Sequence, residues 1–250
     1  MLQIRLLLLT ITVLLLGGCN QDNRTPNLSK INHSLTLISK TKLDVPEPSG
    51  LAFSPFTGTL FTVSDETSKI YELDSNGQTI GIFETNGNDL EGIAMVSDTS
   101  AAVVYERLRE IEIIDLRGGS LIRVKLEIEG ELNNGLEGIA FDSLEKRYFV
   151  LNEKIPRMMI VLDDSLNEIR RTTIKFADDL SGIFCEPQNK ELWIISDESQ
   201  SITRCDYNLK ILEKFQVDIP QIEGIAMDIK NGRLFLISDR TQFLYTYQIN

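Results

Sequence analysis

The chain has 250 residues, 37 acidic against 25 basic side chains, a formal net charge of −12 and a single histidine. This acidic balance argues against a nucleic-acid partner and against electrostatic docking on anionic lipid heads, while leaving cations and basic groups as candidate ligands. Chain order starts with a secretory pattern. Arg5 precedes an almost unbroken apolar run from Leu6 to Leu16, which ends in Gly17-Gly18-Cys19. A charged start, an apolar run and small residues before a break read as a signal peptide over residues 1–18. The run is shorter than the roughly 20 residues that span a bilayer.

Leu16-Gly17-Gly18-Cys19 resembles the lipobox of bacterial lipoproteins, in which the cysteine is lipidated and opens the mature chain. The expectation is therefore a membrane-anchored lipoprotein of the cell envelope, facing the periplasm or the exterior, with Cys19 as the lipidation site. The alternative is an ordinary secretory signal with an incidental cysteine. Residues 19–34 are polar and aperiodic, as befits a tether. Residues 35–250 are then one all-β domain, expected as a monomer.

That domain is repetitive. Ser49-Gly50-Leu51-Ala52-Phe53 returns as Glu91-Gly92-Ile93-Ala94-Met95, Glu137-Gly138-Ile139-Ala140-Phe141, Ser181-Gly182-Ile183-Phe184-Cys185 and Glu223-Gly224-Ile225-Ala226-Met227. The glycines lie 42, 46, 44 and 42 residues apart. A period of about 40–50 residues filled with short strands is a propeller signature. A second phrase, such as Leu60-Phe61-Thr62-Val63-Ser64-Asp65 or Leu192-Trp193-Ile194-Ile195-Ser196-Asp197, closes on an acid 14 or 15 residues after each glycine. Two further strand-like segments complete each repeat, as in Lys69–Asp74 and Thr79–Thr85 or Ile202–Tyr207 and Ile211–Val217, with turn residues between them. The last repeat has only three strands, so Leu35–Leu43 is expected to supply the fourth and close the ring, which removes an open sheet edge. The fold read from the sequence is a five-bladed β-propeller of four-stranded antiparallel blades.

With these phrases in view, the chain resembles the SdiA-regulated domain family of bacterial envelope propellers. The resemblance runs from about Leu43 to Tyr247. It rests on Pro46-Glu47-Pro48-Ser49-Gly50-Leu51-Ala52-Phe53, the Glu-Gly-Ile-Ala phrases, and Ser-Asp-Glu at residues 64–66 and 196–198. It implies a propeller with a divalent cation at its axis, and it speaks to the fold more than to the function.

In a blade, the start of the first strand and the end of the second lie at the same face. That should gather Glu91, Glu137 and Glu223 with the closing acids Asp65, Glu106, Glu153, Asp197 and Asp239 around one mouth of the channel. Carboxylates at close range repel unless they bind a proton, a basic group or a cation. An oxygen-only set without His or Cys suits Ca²⁺ better than Zn²⁺ or copper. The competing reading is architectural, with acids at strand ends bonding the backbone of neighbouring turns. Arg107, Lys154 and Arg240 directly follow closing acids and are candidates either to neutralise them or to hold an anionic ligand.

The functions in play are a cation-binding scaffold that presents one face to a protein or small anionic ligand, a Ca²⁺-dependent phosphoesterase with Glu137 or Glu153 as base, and a structural lipoprotein without metal. The lone His33 excludes a Ser–His–Asp triad in the repeats, and no phosphate-cradling loop is present. Phe61, Phe149, Trp193 and Phe235 read as inter-blade core. Asp163–Asn167 reads as a hairpin turn, because it lacks the glycine and glutamate of an EF-hand. Cys185 and Cys205 fall on strands of one blade that are not neighbours, too far apart to bridge, and read as free packed thiols.

Overall fold

The computed structural model describes residues 33–250, so the signal segment, Cys19 and most of the tether lie outside the described residues. His33–Asn250 forms one compact unit. It opens with β1 (Leu35–Lys42). Blade one follows as β2 (Pro48–Phe53), β3 (Leu60–Ser64), β4 (Lys69–Leu73) and β5 (Thr79–Glu84). Blade two is β6 (Leu90–Met95), β7 (Ser100–Tyr105), β8 (Glu110–Asp115) and β9 (Ser120–Lys125). Blade three is β10 (Leu136–Asp142), β11 (Arg147–Asn152), β12 (Met158–Leu162) and β13 (Glu168–Thr173). Blade four is β14 (Gly182–Glu186), β15 (Glu191–Ser196), β16 (Ser201–Asp206) and β17 (Ile211–Gln216). Blade five contains β18 (Ile222–Asp228), β19 (Arg233–Ser238) and β20 (Phe243–Ile249).

Each sheet has four antiparallel strands in sequence order, except the last, whose order is β1-β20-β19-β18. The N-terminal strand therefore closes blade five from outside, with Leu35 opposite Ile249 and Lys42 opposite Phe243. This is the closure expected from the three-strand final repeat.

The core lies between blades. One apolar cluster joins Phe149, Leu151 and Met159 of blade three to Ile183, Leu192 and Ile194 of blade four, and four equivalent clusters link the other neighbours. Phe61, Phe149, Trp193 and Phe235 are all buried in these seams. Burying each such side chain contributes about 1.5–3 kcal/mol. Cys185 and Cys205 are free and buried, separated by Leu192 on the intervening strand. Asp163 turns the β12–β13 hairpin by accepting the backbone N–H groups of Ser165 (3.0 Å) and Asn167 (2.8 Å).

The repeated glycines mark where the blades meet at the axis. A β-carbon on Gly50 would stand 2.6 Å from the Glu91 carbonyl oxygen, and one on Gly224 would stand 2.9 Å from the Gly50 carbonyl carbon. Five blades leave an axis so narrow that backbone packs against backbone, and a side chain there has no room. Between the two ends of the channel this glycine ring leaves a space of only about 10 Å³.

Candidate metal centre

Local structure aims the first-strand glutamates at the mouth. Leu90 pairs with Tyr105 and Gly92 with Val104, so Glu91 is the extra residue of a β-bulge. Glu223 is bulged in the same way between Ile222 and Gly224. Glu137 and Gly138 together face a single residue between the Leu136–Asn152 and Ile139–Val150 pairs. A bulge bends its strand and redirects the side chain. In the two remaining blades the position before glycine is serine: the Ser49 hydroxyl donates to the Glu91 carboxylate at 2.5 Å, and the Ser181 hydroxyl accepts the Asp197 N–H at 3.1 Å.

The second-strand phrase divides its work between neighbours. Hydroxyls of Ser64, Ser196 and Ser238 each accept a backbone N–H three residues on, from Thr67, Ser199 and Thr241, all at 3.1 Å, which shapes the following hairpin turn. The acid after each serine is left at the mouth.

These elements enclose a cavity of about 320 Å³. Seven of the eight acids expected there line it: Glu91, Glu137 and Glu223 from first strands, and Asp65, Glu153, Asp197 and Asp239 from the ends of second strands. Glu106 is buried beside the cavity rather than lining it, and its Oε1 accepts the Gly135 N–H at 3.3 Å. Two acidic triads result, Glu106–Glu137–Glu153 and Asp65–Asp89–Glu91, each with carboxylate oxygens within 4.8 Å of one another.

The three cations part company. Lys154 lines the cavity with its Nζ 2.6 Å from Glu153 and 3.0 Å from Glu198. Arg107 is turned away from the lining, paired with Asp89 at 3.3 Å and bonded to Asn133 at 3.0 Å. Arg240 is exposed and does not line the cavity.

Sequence reasoning missed a third set of mouth residues, three positions before each glycine: Glu47, Asp89, Gly135, Asp179 and Gln221. Glu47, Asp179 and Gln221 line the cavity, and Asp89 completes one triad. Asp89 accepts the Arg107 N–H at 2.7 Å and Asp179 the Glu198 N–H at 3.1 Å, bolting the start of strand one to the turn after strand two. Glu47, Asp89 and Gln221 also sit at positive φ (38°, 70° and 47°), which is costly for side-chain-bearing residues. The signal available in the sequence was acidity at the same offset in three of five repeats.

Electrostatically the mouth is strained toward neutrality. Burial, and then the charges of Glu91 and Glu223, push Glu137 well above the usual carboxylate range. Burial does the same to Glu91, against the Ser49 bond that opposes it, and to Glu223, with the Glu91 and Asp197 charges adding to it. Burial raises Glu106 to about 7, and it also raises Glu153, Asp65 and Asp239. Glu137 is only 9% exposed, and its carboxylate has no hydrogen-bond partner among the described residues. A donor set of this kind, all oxygen and with Lys154 the one base among the described residues that line the cavity, matches a hard divalent cation.

Solved structures similar in fold include a glutaminyl cyclase from Myxococcus xanthus, at 16% identity and a TM-score of 0.66, covering 86% of this chain and 96% of that one. A streptogramin B lyase matches at 16% identity and TM-score 0.51, over 88% of this chain and 74% of that one. Virginiamycin B lyase from Staphylococcus aureus matches at 15% identity and TM-score 0.53, over 80% and 66%. At such identities the likeness extends to the fold. The SdiA-regulated family matches residues 28–248, spanning all five blades, and the chain belongs to that family.

Proposed function

We propose that this protein is a lipid-anchored propeller of the cell envelope that binds Ca²⁺ at the acidic mouth and serves there as a binding module for a protein or small anionic ligand. The observation that carries the cation is Glu137. A carboxylate that lines this cavity without a protein hydrogen-bond donor, beside Glu91, Glu223 and Glu153, is repelled by its neighbours unless it is protonated or shares a cation. Glu106, Glu137 and Glu153 would hold the ion on one side, and Asp65, Asp89 and Glu91 offer a second set of oxygens. Many of the remaining polar contacts at the mouth are backbone bonds, as the architectural reading expects, but none of them reaches the Glu137 carboxylate. The Cys19 anchor is proposed from the lipobox-like sequence.

The test is a thermal melt of the soluble form starting at Asn20, in EDTA and then with Ca²⁺, Mg²⁺ or Mn²⁺, beside elemental analysis of the purified protein. A cation at 100 times its dissociation constant stabilises by about 2.7 kcal/mol, or roughly 5–10 °C. A selective Ca²⁺ shift of that size supports the reading, and its absence together with a metal-free protein rejects it.

A phosphoesterase is the second reading. It is favoured by Glu153, a candidate base that lines the cavity and that burial pushes above the usual carboxylate range. Of its three candidate substrate cations only Lys154 faces the cavity, which is why the binding module comes first. Ca²⁺-dependent hydrolysis of p-nitrophenyl phosphate, lost in Glu137→Gln, would reverse that order.

A further inference from the structure

The channel has a second mouth whose chemistry is the reverse of the first. The ends of the five first strands, with the turns that follow them, surround a cavity of about 770 Å³. Each blade gives its floor one large apolar side chain: Phe53, Met95, Phe141, Phe184 and Met227. In blade four the aromatic ring comes one residue earlier than in the others, at the place where the other four repeats have alanine. Phe235 stacks on Phe53 with ring centroids 6.2 Å apart, and Phe56 stands on the rim, 62% exposed. The size lies within the range of small-molecule sites, which are mostly apolar with a few placed polar groups. The two methionines let such a floor adapt to its occupant.

The polar groups on the rim have one sign to spare. Asp228 is already committed, with one oxygen accepting the Asn231 N–H at 3.3 Å and the other its side-chain amide at 2.5 Å. Lys230 and Arg233 line the same cavity, are exposed, and make no ion pair among the described residues. In a chain of net charge −12, two uncommitted cations beside an apolar cup select a ligand that is apolar at one end and anionic at the other.

We propose that this cup binds a small free amphiphilic anion of the fatty-acid class, its apolar body on the five-residue floor and its head group between Lys230 and Arg233. The glycine neck stops the ligand short of the acidic mouth, so the site stands independently of the cation.

The soluble form from Asn20 retains every strand and core cluster of the described residues, His33–Asn250, and is the material for the test. Anilinonaphthalene sulfonate reports on the cup by fluorescence, and decanoate and decanol compete for it. The expected result is saturable dye binding at one site, displaced by decanoate at about tenfold lower concentration than by decanol, as one charge-assisted contact warrants. Lys230→Ala with Arg233→Ala should erase that difference, and both positions are exposed, so the fold is not at risk. Met95→Trp, which fills the cup, should abolish dye binding. Should that variant unfold, Phe56→Ser on the rim replaces it and should weaken the dye. Equal displacement by decanoate and decanol in the native chain overturns the proposal, as does dye binding that ignores the folded cup variants. Sedimentation showing a dimer that Phe56→Ser dissociates would assign the cup to a second copy and overturn it as well.

Discussion

Gly92 packs so closely on Glu137 that a β-carbon added to the glycine would stand 2.5 Å from the glutamate's carbonyl oxygen. The contact is backbone against backbone between adjacent blades, and Val104 confines the same space at 2.9 Å. The carbonyl cannot swing away without moving the bulge that aims Glu137. The residue type that closes the ring thus also positions the candidate ligand.

Gly92→Ala should therefore act at both levels. Overpacking a tight site costs about 1–3 kcal/mol, and here the obstacle is main chain, so the upper end applies. The expected fall in melting temperature is roughly 5–10 °C, accompanied by loss of the Ca²⁺ shift. Differential scanning calorimetry with and without Ca²⁺ checks both.

Glu137→Gln should separate the cation from the architecture. In EDTA the amide cannot take up the charge that burial and the neighbouring glutamates oppose, so the variant should melt at or above the native temperature. Its Ca²⁺ shift should vanish. A variant that melts lower in EDTA would show that the carboxylate serves packing instead.

The pH dependence of the metal-free protein follows from the raised acids. Glu106 moves from an ordinary 4.5 to about 7 in the folded state, so the native form binds the extra proton. Its stabilising contribution is fully present below about 4.5 and is lost as pH climbs through 7. Glu91, Glu137 and Glu223 shift in the same direction. Stability in EDTA should then decline between pH 5 and 8, by on the order of 2 kcal/mol from Glu106, measured by urea denaturation. Saturating Ca²⁺ should reverse the slope, because the ion requires deprotonated ligands.

Ser196→Ala tests the turn logic. The hydroxyl bonds both the Ser199 N–H and the Asp179 carboxylate, so its loss leaves a buried acid short of a donor. A destabilisation of about 1–3 kcal/mol is expected. Ca²⁺ should bind more weakly too, because Asp179 lines the cavity. Isothermal calorimetry measures that second effect.

The two thiols should be silent in the native state. Burial raises Cys185 and Cys205 to about 12, which leaves almost no thiolate at pH 8. Iodoacetamide should modify neither in native protein and both in guanidinium, as read by mass spectrometry.

The repeat architecture was legible in the sequence because its determinants are local. Strands within a blade are hairpin neighbours, and their glycines, turn residues and closing acids recur at nearly constant offsets. The missing strand of the last repeat likewise pointed to Leu35–Leu43. The site was only partly legible. Glu91, Glu137, Glu223, Asp65, Glu153, Asp197 and Asp239 reach the mouth as their offsets implied, but offsets do not say how a side chain leaves the strand. Bulges decide that for the glutamates, and a blade-to-blade bond to Gly135 ties Glu106 down beside the cavity.

What the sequence by itself determined is the ring of five blades and the sign of charge at one end, since both follow from periodic spacing along the chain. Only the tertiary structure decided that Asp89 captures Arg107 away from the mouth, that Asp179 joins it, and that an apolar cup flanked by Lys230 and Arg233 opens at the far end. The latter two arise where different blades converge on one axis. There, residues about 40 or more positions apart become neighbours at distances that no spacing along the chain records.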